Sequence, residues 1–307
     1  MTRSGLRRGV VAVGLLVALG VAVWSLHARW AEVRSAATQL SPGALALALA
    51  FALGSLALSL LTWRSTLAAL GTHVPLRPAG RIFFLGQLGK YLPGSVWPVL
   101  AQMELGAAAG LSRTQVGTAS LLSLAIGVPG ALLLGLLAAP TLLSAGVPAY
   151  AVLFAGLPVT AGLLWPPVLN PLLERALRLA RRPAPQQRLT GPAVTRIAVL
   201  SGAANVLLGL QALVLAVDLG ARGATVLPLA VGGFTLAAVA GLLAVPVPAG
   251  VGVREAVLVA TLSPVLPLAR AVVLAVASRL VLTVADLLVA GAAAVVARHR
   301  VQLVRTR

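Results

Sequence analysis

Gly86-Gln87-Leu88-Gly89-Lys90-Tyr91-Leu92-Pro93-Gly94-Ser95-Val96-Trp97-Pro98 places the only lysine of the chain inside an apolar stretch. A cation at membrane depth is costly, and it faces a cavity, a partner or a ligand. Gly89, Pro93 and Gly94 interrupt a helix at this point. Broken backbone at that depth persists only where protein or a water-filled cavity surrounds it. The run is therefore the first candidate for a working site, and it requires a membrane bundle around it.

The rest of the chain supplies one. Of its 307 residues, 59% are hydrophobic and 10% charged, against roughly 25% charged in soluble domains. Apolar runs cover about Val10–Leu26, Ala44–Thr62, Thr114–Ala138, Val147–Leu169, Val194–Val217 and Leu268–Val296. Several reach or approach the roughly 20 residues that a spanning helix needs. Two further stretches, 82–109 and 226–265, are interrupted, the second at Val245-Pro246-Val247-Pro248-Ala249-Gly250-Val251-Gly252. Pro248, Gly250 and Gly252 are its helix breakers. The expected fold is all-α, a polytopic bundle of about six to eight spanning helices with two broken pairs.

Composition closes off several functions. There is no cysteine, which removes disulfides, thiol catalysis and thiolate metal sites. His27, His73 and His299 lie near segment ends, and none pairs with another at metal-ligand spacing. A net charge of +18 could suggest nucleic acid, but the arginines cluster in membrane-flanking loops as the positive-inside pattern requires. Trp24, Trp30, Trp63 and Trp165 lie at run ends, as interfacial anchors do. Tyr91 and Trp97 lie inside the first break. Asn205 and Gln211 suit interhelical hydrogen bonds.

Charge also orients the chain. With a cytoplasmic N-terminus, seventeen arginines fall inside and four (Arg29, Arg34, Arg222 and Arg270) outside. That bias predicts a multi-pass protein of the cell membrane with both termini cytoplasmic. The first run is longer than the roughly 7–15 residues of a signal-peptide core, so it is read as a retained anchor. Residues 63–81 and Arg113 both lie inside, so 82–109 must enter and leave on one face as a re-entrant pair. Stretch 226–265 would be re-entrant from the opposite face, although Thr225–Val245 is long enough to span alone. The organisation expected is a single membrane domain: an anchor helix and loop (1–43), a first repeat (44–138), a connecting helix and basic loop (147–196), a second repeat (194–296) and a basic tail (297–307). Such inverted repeats place a substrate site between broken elements near the midplane.

Six ionisable residues fall within or beside apolar segments: Lys90, Glu104, Arg254, Glu255, Arg279 and Asp286. Three are cationic and three anionic, so they can neutralise one another as structural pairs. Arg279 and Asp286 are seven apart and share a helix face. Arg254-Glu255 opens a helix after Gly250 and Gly252, an arrangement that suits a phosphate or other anion. Lysine at position 90, where the chain elsewhere uses arginine, points to a compact, strongly hydrated charge.

The two broken stretches resemble the lysylphosphatidylglycerol synthase transmembrane family, which is similar to the flippase half of the multiple peptide resistance factor. The resemblance rests on Gly89-Lys90-Tyr91-Leu92-Pro93-Gly94 with Val96-Trp97, and on Pro248-Ala249-Gly250-Val251-Gly252-Val253-Arg254-Glu255. The second motif in that family more often reads Pro-Gly-Gly-Leu-Gly-Val-Arg-Glu, so Ala249 and Val251 depart from it. The resemblance implies lipid translocation or a related envelope-lipid role, without the synthase domain and its aminoacyl transfer.

The leading expectation is thus a lipid flippase that moves a phospholipid or polyprenyl-phosphate lipid. Its headgroup, anionic or phosphate-bearing, would meet Lys90, Tyr91, Arg254 and Arg279, with Glu104, Glu255 and Asp286 as partners for any cationic part. The alternatives are a small-solute secondary transporter, a transferase of envelope glycolipid synthesis, and a scaffold for envelope-biosynthesis enzymes. No catalytic constellation, cofactor or metal is expected. Membrane lipids are the expected partners, together with a possible homo-oligomer.

Overall fold

A computed structural model describes residues 38–91, 96–144, 164–183 and 187–244, the backbone of 250–305, and isolated residues at 35, 162 and 185. Every regular element among them is helical. In chain order these are α1 (Pro42–Ala69), α2 (Leu76–Gln87), α3 (Trp97–Ala108), α4 (Arg113–Gly135), α5 (Ala139–Ser144), α6 (Pro166–Leu179), α7 (Gly191–Asp218), α8 (Val226–Leu243), α9 (Val253–Leu262) and α10 (Leu268–Arg305). A 3₁₀ turn at Leu88–Tyr91 follows α2, and another at Leu136–Ala138 joins α4 to α5. The expected first anchor, Val10–Leu26, lies outside the described residues, as do Pro93, Gly94 and Pro248.

Among the described residues, five helices are long and apolar enough to cross a membrane: Pro42–Ala69, Arg113–Thr141, Gly191–Asp218, Val226–Leu243 and Leu268–Val295. The protein is a polytopic helical membrane bundle, as its sequence predicts. Leu121, Val199, Leu280 and Leu287 are exposed on these helices, as side chains facing lipid should be. Because lipid is as apolar as leucine, close packing and polar contacts must hold such helices together. A Cβ at Gly209 of α7 would lie 2.6 Å from the Val231 Cα of α8. Only glycine lets those two backbones approach so closely.

Helices α1 and α7 form the antiparallel centre. Ser41 caps α1, accepting a bond from the Ala44 amide at 3.1 Å. Its own amide and hydroxyl donate to Asp218, at the end of α7, at 2.7 and 2.9 Å. Midway, Gly54 faces Leu207. At the other end Arg64 and Ala68 line the same cleft as Ala193 and Arg196. One apolar core joins the Asp218 end of this pair to α8, α9 and α10. A second joins its opposite end to α2 and α4.

Each central helix is followed by a helix hairpin. Helices α2 and α3 pack against one another, and each has 12 residues, about 18 Å at 1.5 Å per residue. Neither can cross a hydrocarbon core of about 30 Å. Helices α8 and α9 form the second hairpin, with 18 and 10 residues. The ten residues of α9 rise only about 15 Å, so α9 cannot cross alone, whereas α8 is long enough to approach spanning length.

Two local readings need correction. Part of the expected basic loop after residue 170 is helical, because α6 runs through Leu179 and Leu169 and Leu173 pack on the second core. Asn170 holds the following loop, exchanging two 2.9 Å bonds with the Leu189 backbone. Trp63 is not an interfacial anchor: it is 1% exposed, and its indole donates to the Ser120 hydroxyl at 2.9 Å. Its place near the end of an apolar run conceals that α1 continues for two more turns. Trp165 is exposed, as an anchor should be.

Candidate functional site

The tips of the two hairpins meet at one cavity of about 240 Å³. Lys90, in the 3₁₀ turn after α2, enters from one side, and Arg254 and Glu255 from the first turn of α9. Arg279 and Asp286 project from α10 two turns apart, on the one face that their spacing predicts. Ser55 and Ser59 of α1, Gln87 of α2, Tyr91 beside Lys90, and Ser278 and Thr283 of α10 complete the polar lining.

Glycine builds both tips. A Cβ on Gly89 would lie 2.8 Å from the Trp97 carbonyl oxygen, so only glycine lets the 3₁₀ turn fold back against the start of α3. Gly250 has φ +65 and a Cβ there would lie 2.6 Å from the Gly241 Cα, while Gly252 caps α9 at φ +83. Side chains rarely adopt such φ values. The helix-break roles of Gly89, Gly250 and Gly252 therefore have a direct steric basis.

The charges are paired with one exception. The Lys90 ammonium lies 2.6 Å from Asp286 Oδ2, and the Tyr91 hydroxyl donates to the same oxygen at 2.7 Å. Asp286 is almost fully buried, while the Lys90 side chain remains 33% exposed. Arg279 donates to Glu255 Oε1 at 2.7 Å. The other Glu255 oxygen accepts the Gly252 amide at 2.6 Å, so this carboxylate both caps α9 and balances Arg279. Arg254 stands differently. Its guanidinium lies 4.5 Å from the centre of the Phe234 ring, and among the described residues it has neither an ion pair nor a hydrogen bond.

Three cations thus face two carboxylates around the cavity. The surplus is one positive charge, and the group without a carboxylate of its own is Arg254. Stacking on an aromatic face leaves the guanidinium N–H groups free to bind a bidentate oxyanion.

Glu104 does not belong here. It lies near the end of α3 on an exposed surface, where both its oxygens accept bonds from Arg113 at 2.9 and 2.7 Å. That pairing holds its carboxyl below the usual carboxylate range. Sequence reasoning grouped it with the intramembrane charges because the run around it is apolar, but the partner it needs follows nine residues later, at the start of α4. Conversely, Ser55, Ser59 and Gln87 face the cavity and were not singled out. The signal available was the i, i+4 spacing of two serines in the otherwise apolar run 42–61, and a glutamine three residues before Lys90.

A helical membrane bundle with charged groups gathered where two short helix pairs end defines the class of the protein. The chain belongs to the lysylphosphatidylglycerol synthase transmembrane family: the family model described as the lysylphosphatidylglycerol synthase TM region matches residues 11–290. No curated protein matches the chain.

Proposed function

We propose that the protein is a lipid translocase of the cell membrane, which takes a phosphate-bearing headgroup into the cavity between the hairpin tips. The observation that carries this reading is Arg254, held against Phe234 without a carboxylate partner and beside the partly exposed Lys90 ammonium. A phosphate bridging these two cations would neutralise the surplus charge of the site. The acyl chains would remain in the bilayer.

The proposed movement uses an inverted repeat. Helix α1 with hairpin α2–α3 and α4 would correspond to α7 with hairpin α8–α9 and α10, and the antiparallel pairing of α1 with α7 supports this reading. The hairpins would be re-entrant from opposite faces, with both chain termini cytoplasmic. Rocking of one repeat against the other would open the cavity to each leaflet in turn. Catalysis plays no part in this reading.

The test is leaflet exchange of fluorescent phospholipids in proteoliposomes. Loss of a charge-assisted hydrogen bond is worth about 1.5–3 kcal/mol, or roughly ten- to a hundredfold in affinity. Arg254→Gln should slow exchange by a comparable factor while the protein stays folded. Equal exchange by wild type and Arg254→Gln over anionic and zwitterionic lipids would overturn the proposal.

A further inference from the structure

A second chamber of about 370 Å³ adjoins the charged cavity, within the roughly 300–1,000 Å³ typical of small-molecule pockets. Ser59, Gln87, Lys90 and Arg254 line both spaces. The two cations therefore stand at the junction, and what lies beyond them is chemically different.

Hydroxyls and amides line one part of that chamber, beside apolar side chains such as Phe83, Val99, Leu124 and Leu242. Ser59 of α1, Gln87 of α2, Gln102 of α3 and Ser201 of α7 contribute, with Trp63 on the wall. Ser120 accepts the Trp63 indole and donates to the Gln102 amide oxygen. This fixes Gln102, which is only 3% exposed, with its amide nitrogen left over. Among the described residues, that nitrogen, the Gln87 amide and the Ser59 and Ser201 hydroxyls have no hydrogen-bond partner. These groups open onto the chamber, where a hydroxyl-rich occupant or water can bond them.

Charge narrows the choice. No carboxylate is among the described lining residues, whereas Lys90 and Arg254 are. Glu255 and Asp286 face the other cavity, where each is already bound to a cation. An ammonium-bearing headgroup would meet only like charge in the chamber. A neutral polyhydroxylated group would find donors, acceptors and an aromatic wall.

We infer that the chamber is a specificity pocket for a neutral polyol or sugar, carried on the phosphate that bridges Lys90 and Arg254. The inference rests on the headgroup reading above and names its substrate class. The phosphate would sit at the junction and its ring or polyol would reach Gln87, Gln102 and Ser201.

Retention of labelled lipid by the full-length protein in phosphatidylcholine nanodiscs tests this, with three probes: phosphatidylinositol, phosphatidic acid and phosphatidylethanolamine. Two neutral hydrogen bonds make wild type prefer phosphatidylinositol over phosphatidic acid by about tenfold or more, with phosphatidylethanolamine the weakest. Gln102→Leu, and independently Ser201→Ala, both lining only the second chamber, should reduce that preference while phosphatidic acid binding stays level. Arg254→Gln should weaken phosphatidylinositol and phosphatidic acid alike. Equal retention of those two lipids by wild type, with both weakened by Arg254→Gln, overturns the polyol pocket and leaves the phosphate site standing. If Arg254→Gln weakens neither lipid, the headgroup reading falls and the pocket with it.

Discussion

The Lys90 ammonium and the Asp286 carboxylate, 196 residues apart in sequence, meet at 2.6 Å, joining the tip of the first hairpin to the last long helix. Tyr91 shares the same acceptor oxygen, so two consecutive residues of the 3₁₀ turn are tied to α10. The contact fixes where the hairpin ends and holds a partly exposed cation at the cavity wall.

Breaking one side of a buried ion pair costs about 3–5 kcal/mol, because the remaining charge is left without a partner. Asp286 is the buried member and Lys90 is one-third exposed. Lys90→Met should therefore lower stability by about 3 kcal/mol, near the low end of that range. In an Asp286→Asn background the same substitution should cost much less. Thermal unfolding of the four proteins in detergent measures the coupling, and additive losses would show that the pair does not hold the tip.

Arg254 should behave in the opposite way. It has no carboxylate partner to orphan, and its contact with Phe234 contributes about 0.5–2 kcal/mol. Arg254→Gln should thus lower the melting temperature only slightly while lipid exchange falls at least tenfold. Arg254→Lys retains the charge but loses the planar fork, and should recover only part of the exchange. Measuring stability and exchange on the same preparations separates this outcome from general misfolding.

Gly250→Ala tests the second tip. The substitution imposes a Cβ on a residue at φ +65 and drives it to 2.6 Å from Gly241. Strain of this kind costs about 1–3 kcal/mol, and overpacking adds a similar amount. Thermal unfolding should shift accordingly. Gly110→Ala, at φ +83 but with open space around the added carbon, should carry only the conformational part and provides the control.

The helical fold and both breaks were legible in the sequence because they depend on local quantities. Apolar run length sets the spans, and Gly89, Gly250 and Gly252 mark the turns. The shared face of Arg279 and Asp286 followed from helical periodicity. Pairing was not legible, because it depends on distances that only the fold fixes. Nothing local assigns Asp286 to Lys90 rather than to Arg279 on its own face, or Glu255 to Arg279 rather than to the adjacent Arg254. Glu104 looked like a member of the same group for that reason, and Trp63 looked interfacial because its hydrogen bond to Ser120 bridges 57 residues.

Glu255 offers the sharpest separation of binding from movement. One oxygen balances Arg279 and the other caps α9 through the Gly252 amide. Glu255→Gln keeps an acceptor for the cap but removes the negative charge. Around the cavity, three cations would then face Asp286 alone. Retention of phosphatidic acid in nanodiscs should increase, because the site carries one more uncancelled positive charge. Exchange between leaflets should nevertheless slow, since a headgroup held more tightly is released less often. Stability should fall by about 3 kcal/mol, because Arg279 loses a charged partner while the helix cap weakens. Stronger retention together with slower exchange is the expected pattern. A parallel loss of both would mean that Glu255 serves the fold of α9 and does not tune the charge of the site.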